Sequence, residues 1–144
     1  MMQNYWLSTS YPTQLSAIIV RVIEGHRDAP ISNVICLGIA GDPGEDGEFS
    51  PDGIWEFYPP DHTPWEQCDL IQFIIFSQIT AQLAAASPGI LNNLVVQDPE
   101  MVPEWKTMFE NHGYRVVTHP EAFQELGETA FLLSFFVPPN IILE

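Results

Sequence analysis

Apolar positions recur along the chain with two different periods, and their alternation lays out the expected elements. Leu15, Ile18, Ile19, Val22 and Ile23 repeat at i, i+3, i+4, i+7 and i+8, with Gln14, Arg21 and Glu24 on the other side. That is the pattern of an amphipathic helix, expected over 13–25 and ended near Gly25. Asn33 to Leu37 is a continuous run of strand length, as for a strand covered on both faces. Thr63-Pro64-Trp65-Glu66 carries a capping-box pattern with proline at the first helical position, so a helix starts there and runs to about Ala86. Its polar side chains point in several directions around the helical wheel, which predicts a central helix packed on most sides.

Beyond Pro88-Gly89 the alternation continues. Asn93 to Gln97 reads as a second strand, and Trp105, Met108 and Phe109 mark a helix ending at Gly113. Tyr114 to Thr118 reads as a third strand, Pro120 to Leu126 as a short helix closed by Gly127, and Thr129 to Val137 as a fourth strand. Strands alternating with helices predict right-handed crossovers in a parallel sheet. The expected fold is a single α/β domain over 1–144, three-layered and Rossmann-like, with a mainly parallel sheet of about four or five strands. Such a sheet places its first and fourth strands side by side and binds ligands at their carboxyl ends, where the winding reverses. The crevice is then expected where the Gly38 loop faces Phe136 to Asn140.

Charge narrows the partners. Four Lys+Arg against 19 Asp+Glu give a formal net charge of -15, which repels nucleic acid and anionic membrane surfaces. The basic residues Arg21, Arg27, Lys106 and Arg115 are scattered singly, so no phosphate clamp is expected. The uncharged stretch Leu70 to Gln97 is broken by Gln72, Ser77, Gln78, Thr80 and Gln82 and stopped by Pro88, which argues for buried elements and against a membrane span. Two cysteines make no disulfide framework, and MMQNYWLSTS has no signal-peptide pattern, so a cytoplasmic or nuclear setting is expected.

The candidate chemistry is sparse. Gly38, Gly41 and Gly44 form G-x-x-G-x-x-G after the first strand, whereas a dinucleotide site needs G-x-G-x-x-G with a helix following at once. Asp42, Glu45, Asp46 and Glu48 would also repel a phosphate. Asp42, Asp46 and Gly47 match the first, fifth and sixth positions of a calcium loop, but Gly53 stands at the twelfth, where a bidentate glutamate is required. His26, His62, His112 and His119 lack short ligand spacing, so no metal is expected. Asp98 ends the second strand, where it either faces a ligand's ribose or caps the turn ahead of the next helix. No catalytic residue is assigned: Cys36 sits in a buried strand, Cys68 in a helix, and no serine stands in a nucleophile elbow. The segment 42–62 is an acidic excursion serving as a lid, a short hairpin or a binding surface. Its aromatics Trp55, Phe57 and Tyr58 either cover the core or form a partner surface.

The order of the motifs adds a further expectation. Val34-Ile35-Cys36-Leu37-Gly38-Ile39, a helix with Gln78 and Leu83, Val95-Val96-Gln97-Asp98-Pro99, His112-Gly113-Tyr114-Arg115-Val116-Val117, Pro120-Glu121-Ala122-Phe123 and Thr129-Ala130-Phe131-Leu132 together resemble the sensitivity-to-red-light-reduced (SRR-like) domain family, particularly its fungal members. The resemblance spans about Val34 to Val137. It implies a Rossmann-like domain and a regulatory or binding role with no general enzyme activity. It maps the glycine turn to Gly38 and the strand-end acid to Asp98, which makes Gly38, Ile39, Ala40, Gly41 and Asp98 the candidate ligand site, with S-adenosylmethionine as the alternative ligand. Two departures stand out. Gly38-Ile39-Ala40-Gly41 replaces the family's G-L-G-S turn, and Phe135-Phe136-Val137-Pro138-Pro139 lacks the histidine found after the last strand. The chain also ends earlier than the family's domain, which predicts a sheet edge open or covered by a second subunit, and hence a protein partner or a homodimer.

Overall fold

The computed structural model describes residues 8–39, 64–99 and 101–135, with the backbone alone over 64–70. Ala40, Gly41, the acidic excursion with Trp55, Phe57 and Tyr58, and Phe136 to Asn140 lie outside the described residues. Among the described residues the order is α1 (Tyr11–Gly25), β1 (Asn33–Leu37), α2 (Pro64–Ala86), a 3-10 turn (Pro88–Asn92), β2 (Leu94–Gln97), α3 (Pro103–Asn111), β3 (Arg115–Val116), α4 (Glu121–Gln124) and β4 (Ala130–Ser134).

The four described strands are all parallel, in the order β3-β2-β1-β4. Cys36 stands level with Val96 on one side and Leu133 on the other. The crossovers from β1 to β2 and from β2 to β3 move one way across the sheet. The return to β4 moves the other way, so with constant hand its helix must lie on the opposite face. The two cores agree with this. Val34, Cys36, Leu94 and Val96 form one core with Ile19 of α1, Phe73 and Phe76 of α2, and Trp105 and Phe109 of α3. Ile35, Leu37 and Val95, the alternate residues of the same strands, form a second core under Ala122 and Phe123 of α4. The result is a three-layer α/β fold with β1 and β2 fully covered. No described helix is long and apolar enough to cross a membrane.

Local details depart from the sequence reading where packing overrides periodicity. In α1 the core line runs through Leu15, Ile19, Val22 and Ile23, while Ile18, expected on that face, is 56% exposed. Ile18 lies about 100° around the axis from Ile19, outside the arc that α2 covers. Beyond Pro88-Gly89 the chain makes a 3-10 turn that inserts Ile90 into the core. β3 is two residues long and α4 a single turn. That turn is held by an Arg115–Glu125 pair, in which one guanidinium nitrogen donates to both carboxylate oxygens at 2.5 and 2.6 Å.

Candidate functional site

The winding reverses between β1 and β4, so the crevice expected of this topology lies at their carboxyl ends. Three backbone features shape it. The Gly38 N–H donates to the Gln97 carbonyl at 3.0 Å, and the Phe135 N–H donates to the Leu37 carbonyl at 2.8 Å. Gly38 itself has φ 69°, a left-handed conformation that glycine adopts without a side-chain clash. The turn leads into Ile39, which is 0% exposed and belongs to the helix-side core. Of the candidate ligand residues, Gly38 thus offers backbone, while the Ile39 side chain is committed to packing.

Gly38→Val is expected to destabilise the fold by about 1–2 kcal/mol, whereas Gly38→Asn, whose side chain tolerates this region, costs less. Urea denaturation of the two variants checks the ranking. Equal losses would show that φ at this position is not the constraint.

Asp98 is half-buried at the end of β2, and its carbonyl accepts the Met101 N–H at 3.3 Å, closing the turn into α3 through the main chain. The cap position of α3 is Val102, with no side-chain bond to the helix end. The Asp98 charge is felt by Cys36. Burial pushes the Cys36 thiol well above its ordinary value, and the Asp98 carboxylate raises it further. A thiol held protonated in this way is no nucleophile.

Linkage gives a pH effect with a definite sign. Above about pH 8.5 an unfolded cysteine loses its proton, while the folded Cys36 keeps its own. The stabilising contribution is therefore complete below that value and is lost as pH rises toward the folded-state value, at up to about 1.4 kcal/mol per pH unit. Cys36→Ala should flatten the fall in stability between pH 8.5 and 10. An unchanged slope in urea titrations would refute it.

Gln97, whose side chain the sequence reading assigns no role, is the polar pivot on the other face. It is 4% exposed; its Oε1 accepts the Ala122 N–H at 3.1 Å, and its Nε2 faces His119 Nδ1 at 3.5 Å. His119 is exposed and stands edge-on to Phe123 at 5.5 Å. A glutamine closing an otherwise apolar strand covered on both sides was the available signal, because a buried amide must find partners.

The remaining charges and hollows lie elsewhere. Arg27 pairs with Glu24 at 3.6 Å, Lys106 with Glu110 at 4.0 Å and Arg115 with Glu125, which leaves three of the four basic residues facing acids. No group of three potential metal ligands occurs among the described residues. A broad groove between α1 and α2 is lined by Ala17, Val20, Glu24, Gln78, Ala81 and Gln82. A hollow of about 190 Å³ beside Ile23, His26, Ile31, Leu83 and Ser87 opens at the amino end of the sheet. Neither is bordered by Gly38 or Asp98. Comparison of the chain with family models, with curated proteins and with solved structures finds no match.

Proposed function

We propose that the chain is an SRR-like regulatory or binding protein without catalysis of its own, acting through contacts with a protein partner or a second copy of itself. The observation that carries this reading is one face of α1, where Tyr11 and Ile18, two turns apart, are 60% and 56% exposed. Helices of a domain this size ordinarily turn such residues inward, and clustered exposed apolar side chains mark contact surfaces. The acidic segment with Trp55, Phe57 and Tyr58 is the second expected contact region, and its charge favours a basic partner face. The reading places the protein in the cytoplasm or nucleus.

A photo-crosslinking residue at position 18 tests the proposal, with position 85 on the exposed side of α2 as control. Adducts at 18, absent at 85 and competed away by unmodified chain, are expected in sedimentation-matched samples and cell extract. Their absence at both positions overturns it.

A second reading, a nucleotide-type ligand such as S-adenosylmethionine at Gly38 and Asp98, is supported by the glycine turn and the acid at the β1–β4 reversal. A ligand present at 100 times its Kd stabilises a domain by about 2.7 kcal/mol. A thermal-shift screen with nucleotides and S-adenosylmethionine is expected to show no such effect. Stabilisation that Asp98→Ala removes would favour this second reading over the first.

A further inference from the structure

The two edges of the sheet are built differently. In the order β3-β2-β1-β4, β3 closes one side and β4 the other. The β3 edge is blunted, being two residues long and carrying the exposed Arg115, whose guanidinium is held by Glu125. Shortness and a charge are usual devices that keep an edge strand from pairing with another chain. The β4 edge has neither. Its residues Ala130–Ser134 are half-buried and uncharged, and the stretch from Thr129 to Val137 holds no charge and no proline.

The ladder fixes which main-chain groups face outward. The Phe135 N–H donates to the Leu37 carbonyl, and the Thr129 carbonyl accepts the Ser32 N–H, so the odd-numbered residues of this segment turn their main chain toward β1. Leu132 and Ser134 therefore turn theirs away. Among the described residues β4 pairs with β1 alone, and no hydrogen bond from another element reaches the N–H or C=O of either residue. The Ala130 N–H is already taken by the Gly127 carbonyl at 3.0 Å. A partner that closes these groups must offer a strand, because an extended chain presents N–H and C=O at the matching spacing.

We propose that this edge is a self-association seam, on which β4 of a second copy docks antiparallel about a two-fold axis and joins the two sheets into one. The register that closes every open group sets Leu132 opposite Ser134 of the second copy, each pair exchanging both its bonds, with Leu133 on the axis. The seam carries no charge for a basic partner to recognise, and the same apolar run supplies both strands. The nearest acid in sequence, Glu128, lies two residues before β4. Antiparallel docking sets its two copies at opposite ends of the seam, roughly 20 Å apart, beyond the screening length of about 8 Å. Parallel docking would set them side by side. The inference goes beyond the α1 reading by naming the segment and the partner, and it does not depend on that face.

Sedimentation of the wild-type chain at micromolar concentration is expected to give twice the chain mass of 16.2 kDa. Ser134→Pro removes an outward N–H that the β1 ladder does not use, a position where an edge strand tolerates proline. It is expected to weaken self-association about tenfold or more, with the circular dichroism spectrum unchanged. Ser134→Lys, which puts a charge on the edge, is expected to do the same and decides the matter if the proline variant fails to fold. If neither folds, wild-type amide exchange decides: Leu132 and Ser134 are expected to exchange slowly when concentrated and fast on dilution. A monomeric wild type, a dimer that both variants retain, or fast exchange at these amides at every concentration overturns the seam. Adducts at position 18 from a monomeric wild-type chain would leave the α1 reading standing and this one overturned. A dimer broken at Ser134 without such adducts would do the reverse.

Discussion

Phe73→Ala is expected to destabilise the fold by about 3–5 kcal/mol, the range for removing a large buried aromatic ring. Phe73 is 2% exposed and joins α2 to α3 through three edge-on ring contacts. Its centroid lies 6.4 Å from Trp105, 5.5 Å from Phe109 and 5.7 Å from His112, at interplanar angles of 61°, 68° and 78°. Such pairs add about 0.5–1.5 kcal/mol each beyond the burial of their area. A domain of this size has about 5–15 kcal/mol of total stability, so the loss is a large share of it. Phe73→Leu keeps most of the volume but none of the ring contacts and is expected to cost less than half as much. Urea unfolding followed by circular dichroism measures both. A loss below about 1 kcal/mol for the alanine variant would mean that the α2–α3 contact is not central to the core.

The opposite face is tested by Ile35→Ala, expected to cost about 2–5 kcal/mol. Ile35 is 0% exposed in the middle of β1, level with Val95 of β2 and Leu132 of β4. Its layer differs from the helix side. The described cover there is the four-residue α4 with Phe123 and Leu126, against three longer helices on the other face. A short cover moves more readily into a new cavity, and cavity cost depends on how far the surroundings relax. The result is therefore expected in the lower half of the range, and below that of Phe73→Ala. The same unfolding series compares them, and a larger loss at Ile35 would show the thinner layer to be the more rigidly packed.

The elements were legible because their signals are local. The proline behind Thr63 marks the start of α2, and the uninterrupted run of β1 announces a strand covered twice. The adjacency of β1 and β4 followed from the usual strand order of doubly wound sheets. The candidate site was legible only in part. Gly38 and Asp98 could be placed at strand ends, but Gln97 bonds Ala122 across 25 residues of sequence, and no periodicity reports a contact of that kind. Ile18 and Ile19 are chemically equivalent neighbours, yet one is 56% exposed and the other 1%. The apolar stripe of α1 is wider than the surface α2 offers, so the packing angle selects between them.

Alternation of period, cap signals and glycine–proline breaks were sufficient for the class of fold and for the adjacency of its first and fourth strands, and the charge balance alone argues against polyanionic partners. They act through propensities and charge, which each residue brings wherever the chain places it. The burial of Ile39, the pivot at Gln97, the pairing of Arg115 with Glu125 and the meeting of Tyr114 with Ser77 and Thr80 came from tertiary packing. Each joins residues from different elements, and their energies exist only once the sheet has brought those elements within contact distance.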